Sequence, residues 1–211
     1  MKKGIALLIC CFFLFSCERR QENEVVIETE YGIMKVRLLD STPQHKANFL
    51  KLVSEGFYND LLFHRVIKGF MIQGGDPTSK DAPQGQPLGM GGPDYTIPAE
   101  IGTPHFKGML AMARKGDEVN PEKASSGSQF YIVHGTAVTE QDLVMYEAAK
   151  NITYSPAQRE KYLKLGGAPA LDNEYTVFGE VVEGIEIIDK IAAMETGPMD
   201  RPVKDIRMKI K

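Results

Sequence analysis

The stretch from Phe63 to Asp76, FHRVIKGFMIQGGD, sets the frame for this chain. Apolar-rich residues on either side of Lys68-Gly69 read as two short strands joined by a tight turn, because glycine adopts the backbone conformation such a reversal needs. Alternation along the first strand sends Phe63, Arg65 and Ile67 to one face and His64 and Val66 to the other. Between positions 65 and 73 the stretch also gathers a cation (Arg65), a ring (Phe70), a thioether (Met71) and an amide (Gln73). Taken alone, a strand arginine is ordinary: its stem covers apolar surface while its head stays in water.

The rest of the chain continues in short strands. Glu24 to Glu30 and Ile33 to Leu39 alternate well and are joined by Tyr31-Gly32, a hairpin connection. Ser41-Thr42-Pro43 offers a hydroxyl cap and a first-turn proline to a helix that ends near Gly56. Strands are expected near Leu62–Ile67, Met71–Gly74, Gly108–Ala113, Gln129–Val133 and Thr176–Val181. A second helix is expected over Gly184 to Met194, and a closing strand over Val203 to Ile210. Asp76 to Asp94, rich in Gly and Pro, is loop. Many short strands with two helices predict a mainly β fold, a closed antiparallel barrel.

Three further blocks join the first: Gly108-Met109-Leu110-Ala111-Met112-Ala113-Arg114 with Ser125-Ser126-Gly127-Ser128-Gln129-Phe130-Tyr131-Ile132; Leu171-Asp172-Asn173-Glu174-Tyr175-Thr176-Val177-Phe178-Gly179; and the opening hairpin with Pro43 to Phe57. In this order the four blocks resemble the cyclophilins, peptidyl-prolyl cis/trans isomerases. The resemblance implies an eight-stranded antiparallel barrel capped at each end by a helix, with a groove on its outer surface. It implies catalytic roles for Arg65 and Gln73. It implies substrate contacts from Phe70, Met71, Ala113, Gln129, Tyr131, Leu171 and Tyr175, with no cofactor. Phe70, Met71, Tyr131 and Leu171 would form the proline pocket, and Gln73 and Gln129 would hold the substrate backbone or orient Arg65.

The chemistry fits these residue types. Rotating an X–Pro bond breaks no covalent bond, so it calls for no nucleophile, proton shuttle or metal. The barrier is lost amide resonance, about 18–20 kcal/mol for a peptide bond. In the twisted transition state the proline nitrogen regains a lone pair, and a donor aimed there gains strength only there. Arg65 is always protonated and carries a rigid fork of donors.

Met1-Lys2-Lys3, an apolar run from Gly4 to Phe15 and a small residue at Ser16 read as a signal peptide over 1–16. The run is too short to span a membrane, which takes about 20 residues. Leu14-Phe15-Ser16-Cys17 resembles a bacterial lipobox, which implies lipidation at Cys17 and a polar tether over 17–24. The expected setting is therefore the bacterial cell envelope, as a lipid-anchored protein facing the periplasm or the cell surface. Cys10, Cys11 and Cys17 are the only cysteines, so residues 25–211 carry no disulfide framework. The four histidines lack ligand spacing, and no metal site is expected. Net charge is −3 with no basic patch, which gives no indication of nucleic-acid binding.

Residues 25–211 thus read as one isomerase domain, acting on proline-containing unfolded or extended polypeptides and assisting the folding of exported proteins. The alternative is a non-catalytic proline-peptide-binding or chaperone-like envelope lipoprotein. About 136–169 departs from the family as a helical insertion, with helices over 139–150 and 156–165. None of the expected site residues falls inside it, so the insertion reads as removable without loss of small-peptide activity.

Overall fold

The computed structural model describes residues 23–211. The signal peptide, Cys17 and most of the tether lie outside the described residues. Ten strands and four α-helices follow in chain order: β1 Glu24–Thr29, β2 Gly32–Leu38, α1 Pro43–Ser54, β3 Arg65–Ile67, β4 Met71–Gly74, β5 Thr96–Ile97, β6 Met109–Met112, β7 Ser125–Ser126, β8 Phe130–Val133, α2 Glu140–Lys150, α3 Pro156–Leu165, β9 Val177–Glu183, α4 Ile185–Ala192 and β10 Lys209–Ile210. Among the described residues no helix is long and apolar enough to cross a membrane.

Eight strands form one antiparallel sheet in the order β10-β1-β2-β9-β6-β8-β4-β3; β5 and β7 pair separately. The expected closed barrel is corrected here. The sheet is an open, curled half-barrel whose edges stand 16 Å apart, and it carries four helices, α1 and α4 together with α2 and α3 of the insertion. The reason is the length of the edges. The expected strand over Val203–Ile210 shrinks to Lys209–Ile210, and the strand expected from Leu62 begins only at Arg65. Two- and three-residue edges cannot sustain a ladder with each other. The segments before them meet through three backbone hydrogen bonds around a single Leu62–Arg207 bridge: Asp60 N–H to Met208 O and Phe63 N–H to Ile206 O at 2.9 Å each, and Met208 N–H to Leu61 O at 2.8 Å.

The sheet has an apolar layer on each face. Inside the curl, Ile27, Val36, Ile72, Leu110, Ile132 and Phe178 pack with Phe49 of α1 and Ile188 of α4. Phe49 sits 5.0–5.6 Å from the rings of Tyr58, Phe130 and Phe178, and burying such a side chain stabilises by about 1.5–3 kcal/mol. Phe63 joins this inner layer, 6.2 Å from Phe130, so the alternation expected from Phe63 to Ile67 fails at its first residue. Outside the curl, Met71, Met109, Tyr131 and Val133 are covered by Leu143 of α2 and by Tyr154 and Tyr162 of the insertion.

Local sequence explains most helix ends. Thr139 with Asp142 and Ser155 with Gln158 each form a reciprocal capping box for α2 and α3. The Thr42 hydroxyl instead donates back to Leu39 O at 3.3 Å. The free first-turn amides of α1, Gln44 and His45, donate to the distant Glu100 carboxylate at 3.1 and 3.0 Å.

Candidate active site

Strand register assembles the site. Arg65 opposes Gln73 across β3 and β4, Gln73 opposes Tyr131 across β4 and β8, and Tyr131 opposes Ala111 across β8 and β6. Directly opposed residues share a face, so these side chains form one row across the outer face. Met71 lies two residues from Gln73 and shares that face. Phe70, Met71, Ala113, Tyr131, Leu171 and Tyr175 belong to one apolar cluster on it. Tyr131 and Tyr175 meet edge to face at 5.7 Å.

The polar residues pair differently from expectation. Gln73 Nε2 donates to Gln129 Oε1 at 3.1 Å, and Gln129 Nε2 donates to Gly89 O and Gly91 O at 3.0 and 2.6 Å. Gln129 thereby ties the 76–94 loop to the sheet. Arg65 is held by neither glutamine. Its Nε donates to Asp200 Oδ2 at 3.2 Å, with the two side chains 40% and 44% exposed. A pair this open is worth about 0–1 kcal/mol, so it orients the guanidinium more than it stabilises the fold.

Asp200 is aimed by an unusual loop. Met199 and Asp200 both adopt left-handed backbone, at φ 62° and 58°, a conformation costing L-residues roughly 1–2 kcal/mol each. Arg201 anchors the loop from within, donating to Pro83 O, Gln86 O and Asp205 Oδ1 at 2.9 Å each. Ala113 has its N–H committed to Gln129 O at 2.9 Å, and its carbonyl accepts from Ser126 N–H at 2.8 Å. A peptide alongside could reach only the second lone pair of that carbonyl.

Residues 24–211 match the family model for "Cyclophilin type peptidyl-prolyl cis-trans isomerase/CLD". The chain belongs to the cyclophilin-type peptidyl-prolyl cis-trans isomerases. Its activity is the family's, rotation of X–Pro bonds. This cyclophilin is 37% identical over 191 residues to a peptidyl-prolyl cis-trans isomerase homologue of Staphylococcus saprophyticus, covering 88% of each chain. It is 36% identical over 199 residues to a bifunctional phosphatase/peptidyl-prolyl cis-trans isomerase homologue of Streptococcus pyogenes, covering 90% of this chain but spanning only 38% of that longer protein. Among solved structures it is similar to a Cryptosporidium parvum cyclophilin-type isomerase, with TM-score 0.63, 29% identity, and 89% and 95% of the two chains covered.

Sequence reasoning about this cyclophilin missed Asp200 and a buried polar chain beneath Tyr131. The Asp172 carboxylate accepts from His105 N–H and Nδ1 at 2.8 and 2.9 Å and from the Tyr154 and Tyr162 hydroxyls at 2.6 Å each. His105 Nε2 meets the Tyr131 hydroxyl at 3.1 Å. Burial pushes the Tyr131 hydroxyl well above the usual phenol range, so it stays protonated. Burial first and Asp172 second do the same to Tyr154, and likewise to Tyr162. Tyr154 and Tyr162 come from the insertion, so removing that segment would take two donors from the buried Asp172.

Proposed function

We propose that this isomerase turns X–Pro bonds on the outer face of the sheet. Arg65 donates to the proline nitrogen as the bond twists. Phe70, Met71, Tyr131, Leu171 and Tyr175 hold the ring. Gln73 meets the substrate backbone together with Ala113, and Gln129, committed to the 76–94 loop, holds Gln73 in place. The observation that carries this reading is the cross-strand row of Arg65, Gln73 and Tyr131 beside a single apolar cluster. Asp200 engages Arg65 through Nε, which leaves the terminal amino groups of the fork for substrate. A donor of this kind, preorganised in a site poor in water, contributes about 3–4 kcal/mol to the transition state. Water exclusion adds to this by disfavouring the planar, solvated amide.

Titrating an Ala-Pro-containing peptide into ¹⁵N-labelled protein tests the placement. Shifts confined to residues near 65–73, 113, 129–131 and 171–175 agree with it; shifts confined to another face would refute it.

The clients we propose are exported polypeptides, met at the cell envelope by a protein anchored through Cys17. The motivation is the lipobox-like Leu14-Phe15-Ser16-Cys17 after a signal-like run. Cys17→Ser should release the protein from the membrane fraction or leave an uncleaved precursor. A mature N-terminus other than a diacylated Cys17, read by mass spectrometry, would defeat the anchor.

A further inference from the structure

The pocket wall Leu171–Tyr175 is gripped from behind by its own carboxylates. Asp172 Oδ1 takes two hydrogen bonds from His105, and Oδ2 takes one from each of Tyr154 and Tyr162. That fills all of the roughly four acceptor positions of a carboxylate. His105 bridges this carboxylate and Tyr131, with Nδ1 on Asp172 Oδ1 at 2.9 Å and Nε2 on the Tyr131 hydroxyl at 3.1 Å. The hydroxyl is therefore turned away from the apolar cluster, and Tyr131 offers that cluster its ring. Two residues on, Glu174 meets Lys150 from the end of α2 at 3.4 Å, Arg114 at 3.3 Å, and Lys123. Arg114 also lies 4.7 Å over the Tyr175 ring.

The insertion that supplies Tyr154, Tyr162 and Lys150 is itself pinned at both ends. Thr136 and Gly167 exchange backbone hydrogen bonds at 3.1 and 2.9 Å. Gly167 packs so closely on the 105–106 segment that a Cβ there would stand 2.3 Å from His105 O.

We propose that the α2–α3 insertion positions the proline pocket. Tyr154 and Tyr162, through Asp172 and His105, together with Lys150 through Glu174, set the place of Leu171, Tyr175 and the Tyr131 ring. This rests on the pocket assignment made under the proposed function. The Asp172–His105–Tyr131 chain has the order of a nucleophile relay, but it does not act as one. Its hydroxyl stays protonated and faces the histidine, and X–Pro rotation moves no proton. The four residues Tyr154, Tyr162, Asp172 and His105 are positioning residues; none touches the reacting bond.

The test is steady-state isomerisation of an X–Pro peptide by the full chain carrying Tyr154→Phe and Tyr162→Phe together. These changes keep both rings and remove two donors from Asp172. A pocket wall binds the ring in ground and transition states alike, so KM should rise about fivefold while kcat holds within about twofold. A brace serving stability alone would instead lower the active fraction, giving a reduced maximal rate at unchanged KM, and that result overturns the proposal. If the double variant does not fold, Lys150→Met decides: KM raised about twofold at constant kcat supports it, and unchanged KM overturns it. Arg65→Ala, run in parallel, separates the two levels. Full activity there brings down the pocket assignment and this inference with it. An inactive Arg65→Ala beside unaltered KM in the other variants brings down this inference alone.

Discussion

Acidification should weaken this fold by a calculable amount through one histidine. His64 is 3% exposed, and neither ring nitrogen has a hydrogen-bond partner. Burial lowers its pKa from 6.5 to about 4, with the Asp76 charge opposing the shift and Arg65 and Arg201 assisting it. The unfolded chain takes a proton near pH 6.5, and the folded protein refuses it until about pH 4. Between those values the unfolded state binds more protons, so stability is full above the upper value, falls as pH drops, and levels off below the lower. A shift from 6.5 to about 4, at about 1.4 kcal/mol per unit, comes to roughly 3 kcal/mol. That is a large share of the about 5–15 kcal/mol typical of a domain. Urea midpoints at pH 7, 6, 5 and 4.5 for the wild type and His64→Gln would measure it. His45 and His134 are also lowered by burial and act in the same direction, but both remain in the variant and cancel from the difference. Glu100, Asp76 and Glu174 are lowered too. As carboxylates they lose their contribution only as pH falls below their unfolded values and through the folded ones, so the window down to pH 4.5 largely leaves them out. The wild-type curve should drop about 1–2 M further in urea midpoint than the variant's, taking a slope of about 2 kcal/mol/M. Parallel curves, or an NMR titration placing His64 near 6.5, would refute the reasoning.

Asp200→Ala should lower kcat/KM for an X–Pro peptide about three- to tenfold, since the arginine loses its orienting partner; stability should change by less than about 1 kcal/mol because the pair is exposed. Unchanged kcat/KM would show that Arg65 needs no such partner. Replacing residues 139–166 by a Gly/Ser linker should cost about 3–5 kcal/mol, the range for removing partners from a buried charge, or about 6–20 °C in Tm for a domain of this size. A calorimetric Tm within a few degrees of the wild type would show that Asp172 finds other donors.

The short strands carrying Arg65, Gln73 and Tyr131 were legible from local pattern and the turn at Gly69, whereas their roles came from the family resemblance and their row across the sheet only from the register. The insertion helices were legible too, since both capping boxes are written locally, at Thr139…Asp142 and Ser155…Gln158. How they dock was not, because beyond Leu143 the contact is made by Tyr154 and Tyr162, whose hydroxyls meet one distant carboxylate, Asp172. Asp200 reaches Arg65 across 135 residues, a link no periodicity can signal. Val203 to Ile210 alternates like a strand, yet only Lys209–Ile210 pairs with β1, at Glu28 and Ile27. The residues before it meet 60–63 through a few backbone hydrogen bonds without forming a ladder, so the curl stays open where alternation alone would close it. Phe63 failed for a related reason: β3 starts two residues later, and outside a strand the period carries no information.

The most direct measurement is the catalysed cis-to-trans rate of a short X–Pro peptide, compared between wild-type protein and Arg65→Ala. The wild type should accelerate the conversion, and Arg65→Ala should lose about 10²–10³ in kcat/KM with an unchanged circular dichroism spectrum. An Arg65→Ala protein that keeps its kcat/KM within about threefold would contradict the assignment of Arg65 as the donor to the proline nitrogen.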